Sequence, residues 1–90
     1  MKPFRWSAHA LGNLAAREIP REEADRTLAD PERVERIHPS RAIYMRRYSD
    51  ARLGQEMLLR AVVEEEAGHC VVITVYITSK IGKYMKGATP

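Results

Sequence analysis

The sequence predicts an α+β domain, with two N-terminal helices packed on one face of a twisted, mainly antiparallel sheet of about four strands and a basic C-terminal tail. Three observations predict it. Apolar residues recur at helical spacing as far as residue 30 and alternate singly beyond it. The alternating part is punctuated at Pro39-Ser40, at Gly54 and at Ala67-Gly68, as hairpins require. Helices followed by a run of hairpin strands bury their apolar faces against one another in this architecture.

The elements follow in order. Phe4 to Trp6 is able to add a short edge strand. Ser7 is a good N-cap, and Ala8, Leu11, Leu14 and Ala15 then mark one helical face over about 7–18. Pro20 suits the opening of a second helix, about 20–29, with Glu22 and Glu23 at its electropositive first turn. Ala24 and Leu28 give it an apolar stripe, and Asp30-Pro31 stops it. Strands are expected at about 33–38, 42–48, 57–65 and 70–78, with Ser49 to Gln55 as a polar loop. The acids Glu64, Glu65 and Glu66 fall at a hairpin end and read as a solvated tip.

Alternation assigns the faces. Val71, Ile73, Val75 and Ile77 are expected beneath the helices, beside Met57, Leu59, Ala61 and Val63 and then Ile43 and Met45. The opposite face would carry Tyr44, Arg46 and Tyr48, then Arg60, then Thr74 and Tyr76. Arg60 interrupts the run LLRAVV, where a buried strand would carry another aliphatic residue. Arginines interleaved with tyrosines suit a nucleic-acid backbone, because guanidinium forks bind phosphates and rings stack on bases. They equally suit cross-strand pairing with acids on an ordinary wet face.

Composition narrows the function classes. Ninety residues make a single domain, 1–90, of which 44% are hydrophobic and 30% charged. No apolar run approaches the roughly 20 residues of a membrane span, and MKPFRWSAH lacks the apolar region of a signal peptide. The lone cysteine, Cys70, permits no internal disulfide and is expected to pack as a small hydrophobe, so a cytoplasmic address is expected. The net charge of +3 is modest, but no acid follows Glu66, whereas Lys80, Lys83 and Lys86 do. That balance permits RNA or an acidic protein as partner. His9, His38 and His69 are scattered, and no glycine-rich phosphate loop or nucleophile elbow is present, so neither metal nor cofactor is expected.

Ser7, His9-Ala10, Arg17 and Ile19 at the start, with Thr74-Val75-Tyr76, Thr78-Ser79-Lys80 and Lys83-Tyr84 at the close, resemble a branch of small RelE/BrnT-like domains of unknown function. Arg41, Tyr44 and Arg60 also sit where such domains carry similar residues. The resemblance runs from Trp6 to Met85. It departs at Asn13, where an arginine is common, at Glu18, where glycine is usual, and at Pro20 in place of a capping Ser or Thr. It implies a RelE-like fold and, from the better-known relatives, a ribonuclease toxin neutralised by a small antitoxin-like protein encoded nearby.

Metal-free RNA cleavage needs a base for the 2′-hydroxyl, cations for the crowded phosphorane and an acid for the leaving oxygen. The residues able to supply these are His9, Arg46, Arg60, Lys80 and Tyr84. Tyr44, Tyr76, Lys83 and Lys86 are placed to hold RNA. His9, in the first turn of its helix, would be kept neutral by the helix dipole and serve as base, or would tie that helix to the sheet. The expected activity is a metal-independent endoribonuclease of a toxin–antitoxin-like pair, free or on the ribosome; the alternatives are a non-catalytic RelE-like binding module and a general nucleic-acid binder. An exposed edge strand at Val34 to His38 leaves monomer and homodimer both open.

Overall fold

A computed structural model describes residues 2–86. Residues 87–90 of the expected basic tail, Gly87 among them, lie outside the described residues.

The architecture is α+β. In chain order it comprises β1 (Phe4–Trp6), α1 (Ala8–Ala16), α2 (Arg21–Ala29), β2 (Arg33–His38), β3 (Arg41–Asp50), β4 (Gln55–Glu65), β5 (Cys70–Thr78) and α3 (Ile81–Met85). The sheet has five strands in the order β1-β5-β4-β3-β2. Phe4–Trp6 pairs parallel with β5, so the sheet is mixed, while the hairpins from β2 to β5 are antiparallel. The expected loop at Ser49 to Gln55 shrinks to a turn, because β3 runs on to Asp50 and β4 begins at Gln55. Part of the basic tail is helical, forming α3.

Each helix end has a local cause. The Ser7 side chain accepts the Ala10 N–H at the start of α1. At its end, Ile19 N–H donates to Leu14 C=O at 2.9 Å and Glu18 N–H to Ala15 C=O at 3.4 Å. This is a Schellman closure, with Glu18 in the left-handed position at φ 52° where glycine is favoured. Arg46 of β3 donates to the Asp30 backbone C=O at 2.7 Å and so caps the negative end of α2.

Helices α1 and α2 cover one face of the sheet. Ala10, Ile19, Ala24 and Leu28 pack there on Tyr48, Met57, Leu59, Ala61, Val63, Cys70, Val72 and Val75. Met57, Leu59, Ala61 and Val63 lie on this side as alternation predicts, and Cys70 is buried among them. A second, smaller cluster lies on the other face, where Ile81, Tyr84 and Met85 of α3 pack on Ile43, Met45 and Leu58.

Two expected faces are corrected. On β3 the parity is inverted. Tyr44 pairs with Ala61, Arg46 with Leu59 and Tyr48 with Met57, all on the helix side, while Met45 pairs with Arg60 on the other. The cause is α3: with a second apolar layer above the sheet, Ile43 and Met45 have somewhere to be buried away from α1 and α2. On β5 the expected inward set fails in its first half. Cys70 and Val72 face the helices, then Val75 and Ile77 do. A β-bulge separates the halves: Val63 pairs with Val72 but Val62 with Thr74, leaving Ile73 as the extra residue.

Beyond Trp6, β1 no longer covers the edge of β5, and α1 takes its place. Ser7 N–H donates to Val72 C=O at 3.1 Å and the Ser7 hydroxyl to Ile73 C=O at 3.4 Å. The Asn13 Oδ1 accepts from the Thr74 hydroxyl at 2.8 Å and from Val75 N–H at 3.0 Å. Arg17 Nη1 donates to Val75 C=O at 2.7 Å. Ser7, Asn13 and Arg17 thus satisfy an otherwise open strand edge.

Candidate functional site

The face opposite α1 and α2 holds the one arginine that is buried. Arg60 sits in the middle of β4 with its side chain only 6% exposed. A charge so placed needs partners. Arg60 Nη1 donates to the Tyr76 hydroxyl, directly across the strand pair. Its guanidinium carbon stands 3.8 Å from the ring centre of Tyr84 and 5.3 Å from that of Tyr76, so the cation lies against two π-systems. Glu35 of β2 approaches Nη2 at 3.8 Å. Nε is buried and has no hydrogen-bond partner among the described residues. Burial pushes the Tyr76 phenol above its ordinary range, and the adjacent Arg60 charge pulls it partly back.

Helix α3 covers this arginine. Its five residues could not hold a helix alone; Ile81, Tyr84 and Met85 fix it by packing on Ile43, Met45 and Leu58. The Thr78 hydroxyl accepts the Lys80 N–H at 3.1 Å as the chain leaves β5. Arg33 Nη1 donates to Lys86 C=O at 3.0 Å on the far side of α3.

Four cations around α3 stand without an acid within ion-pair distance among the described residues, as Lys2, Arg5 and Arg17 do elsewhere. Eight arginines, at positions 21, 26, 36, 41, 46, 47, 52 and 60, each lie within ion-pair distance of an acid. Among the described residues no carboxylate pairs with Arg33, Lys80, Lys83 or Lys86, and the three lysines are exposed. Lys83 Nζ lies 5.2 Å from the Tyr84 ring centre, so that ring has one cation, Arg60, beneath it and another beside it.

Of the residues expected to act together, Arg60, Tyr76 and Tyr84 converge, with Lys80, Lys83 and Lys86 around them. His9, Arg46 and Tyr44 do not. His9 is exposed on α1, across the sheet from Arg60, and its side chain makes no hydrogen bond that would tie α1 to the sheet. Arg46 follows the inverted parity of β3 to the α2 end and adds an ion pair with Asp30 at 3.3 Å. Tyr44 packs edge-on against Phe4, ring centres 5.7 Å apart, and borders a cleft of about 290 Å³ with Lys2, Phe4, Glu65 and Cys70. Tyr48, also expected on the open face, is buried and donates to Asp50 Oδ2 at 2.8 Å.

Two residues of this face escape sequence reasoning: Glu35 and Arg33. Both alternate onto it only once β3 is assigned its true parity, because Glu35 pairs with Ile43 and Arg33 with Met45. Arg46 and Arg60 each meet an acid, Asp30 at 3.3 Å and Glu35 at 3.8 Å, and the shorter cross-strand pairs are Arg36–Glu65 at 2.9 Å, Arg41–Glu64 at 2.7 Å and Arg47–Glu32 at 2.8 Å. The acidic hairpin tip is therefore mostly tied down, with Glu64 also accepting from Ser40.

The arrangement can hold an anion electrostatically along α3. It offers no bare aromatic platform on this face, since Tyr76 and Tyr84 both lie against Arg60. No helix among the described residues is long and apolar enough to cross a membrane. A family model described as a domain of unknown function, DUF4258, matches residues 6–77. No curated protein and no solved structure matches the chain.

Proposed function

The chain belongs to the DUF4258 family of unknown function, and from that premise we propose that it is a non-catalytic, RelE-like binding module that holds the RNA backbone along its α3 edge. One observation carries the reading: among the described residues no carboxylate pairs with Arg33, Lys80, Lys83 or Lys86 around α3, while seven arginines away from α3 are in ion pairs. Unpaired amines on a rim release counterions when they meet phosphates, and that release drives sequence-independent binding. Buried Arg60 then acts as the underside of the platform, holding Tyr84, and through it α3, in place.

Binding of a short single-stranded RNA, followed by fluorescence anisotropy against salt, tests this. Each phosphate contact contributes a slope of about −0.7, so four cations give roughly −3 in log K against log salt. Replacing Lys80, Lys83 and Lys86 together by alanine should flatten that slope and weaken binding at least tenfold. RNA binding unaffected by salt and by the triple substitution overturns the reading.

A second reading, the endoribonuclease of a toxin–antitoxin-like pair, is favoured by the bracket of two phenols around Arg60. In that reaction the 2′-oxygen attacks phosphorus and the bond to the 5′-oxygen breaks. The 2′-hydroxyl proton passes to a base, and a proton from an acid such as Tyr84 completes the 5′-hydroxyl product. Arg60 and Lys80 would neutralise the phosphorane. Against it stand the cover over Arg60 and the position of His9 across the sheet. Incubation with RNA separates the two readings: new 5′-hydroxyl ends that vanish in Tyr84→Phe support cleavage, and intact RNA supports binding alone.

A further inference from the structure

We propose that Asn13 is a positioning residue for the cationic face, acting through the sheet: it latches the bulge in β5 that turns Tyr76 toward Arg60. The side chains concerned lie on different elements and on different sides of the sheet. Asn13 is a buried residue of α1, 7% exposed, and its Oδ1 is the shared acceptor of the Thr74 hydroxyl and Val75 N–H. Arg60 faces the opposite layer.

The register shows what the latch accomplishes. Up to the bulge, β5 pairs so that Val63 meets Val72. Continued without the extra residue, that register would set Val75 opposite Arg60. Tyr76 would fall opposite Leu59, with its hydroxyl in the apolar layer under α1 and α2. The observed register after Ile73 sets Tyr76 opposite Arg60 and Val75 opposite Ala61. The parity change is thus the step that gives Arg60 its hydroxyl acceptor and one of its two aromatic neighbours.

Asn13 sits where this change is decided. Just past the bulge, β5 has no strand on its outer edge, because β1 ends at Trp6. At Val75 the N–H goes to Asn13 and the C=O to Arg17, so α1 side chains stand in for the missing strand. The acceptor is held in register by its own helix, because Ser7 ties the start of α1 to Val72 and Ile73. A side chain without an acceptor atom at position 13 would leave both donors unanswered. The asparagine is therefore the group that sets the geometry of the far face, although it never touches that face.

The inference rests on reading the Arg60 face as the working one, and its test separates the two. Asn13→Leu removes the acceptor at similar size, whereas Asn13→Asp keeps it. NMR contacts between the Arg60 and Tyr76 side chains, which need no RNA, report the register directly. They should persist in Asn13→Asp and be lost in Asn13→Leu, together with the ring-current shift on the Arg60 guanidinium. Deleting Ile73 removes the extra residue while leaving Tyr76 facing Arg60, so Asn13→Leu in that background should restore the contact. A merely stabilising asparagine gives no such rescue. Unchanged Arg60–Tyr76 contacts in folded Asn13→Leu, or failure of the deletion background to restore them, overturns the proposal. If the contacts follow the latch but RNA affinity does not, the positioning role stands and the functional reading of the face falls.

Discussion

At the residue scale the molecule turns on Arg60. A guanidinium that is 94% out of solvent is normally costly, and here a phenol, two ring faces and a partly exposed carboxylate share its charge. Because the desolvation cost offsets most of what those partners return, Arg60→Met should change unfolding free energy by less than about 1 kcal/mol. Met45→Ala beside it should cost about 2–4 kcal/mol, because it opens a cavity. Urea denaturation of both variants checks the contrast, and a loss of several kcal/mol in Arg60→Met would make the arginine a net stabiliser. Glu18 is a second such residue. It occupies a left-handed position with only a 3.6 Å exposed contact to Arg52 in return. Glu18→Gly should therefore stabilise by roughly 0.5–1 kcal/mol, seen as a higher urea midpoint at unchanged slope. Arg60 stands out in the sequence as a charge in an apolar run, whereas the strain at Glu18 shows only in its backbone angle. The partners of Arg60 do not stand out, because Tyr84 is 24 residues from Arg60 in the chain and joins it only through α3.

At the element scale, the strands and the first two helices are legible because each obeys one period over its length. Cys70–Thr78 matches the expected strand at both ends, and Arg33–His38 does as well. The faces are less legible than the elements. In β3 the sequence RAIYMRRYSD offers apolar or aromatic residues to both sides, so alternation alone does not choose between them. What chooses is α3, whose Ile81 and Met85 provide the second apolar layer. That layer is thin, and its helix is short. Ile81→Ala with Met85→Ala should accordingly loosen α3 without unfolding the sheet. Amide exchange should quicken at 81–85 by tenfold or more while β4 and β5 amides stay protected. Equal loss of protection throughout would mean that α3 is integral to the core.

At the scale of the whole molecule, eight arginines lie against acids, and four cations without a carboxylate partner among the described residues border α3. Glu32, Asp50, Glu64 and Glu65 all have carboxyls held below their ordinary range. The main causes are, respectively, the Arg47 side chain, the Leu53 N–H, the Ser40 hydroxyl and the Arg36 side chain. A carboxyl depressed in the folded state stabilises it above the unfolded value of about 4 and ceases to do so as pH falls through the folded value. Thermal stability should thus be flat from about pH 5 to 7 and fall below about pH 4. Glu64→Gln should shallow that fall, and an acid limb identical to wild type would show that these contacts exist equally in the unfolded chain.

The α+β class, the order and approximate limits of the two large helices and four main strands, and the oddity of Arg60 are all legible in the amino-acid order. They are legible because they rest on local period, capping and turn chemistry. Which side of the sheet each residue serves depends instead on contacts distant in the chain. Two long-range features accompany that assignment: α3 folding back to bury Ile43 and Met45, and Asn13 reaching 62 residues along the chain to Val75, just past the β5 bulge. A period-2 pattern is silent about both, because one inserted residue or one added layer reverses the meaning of alternation without altering it.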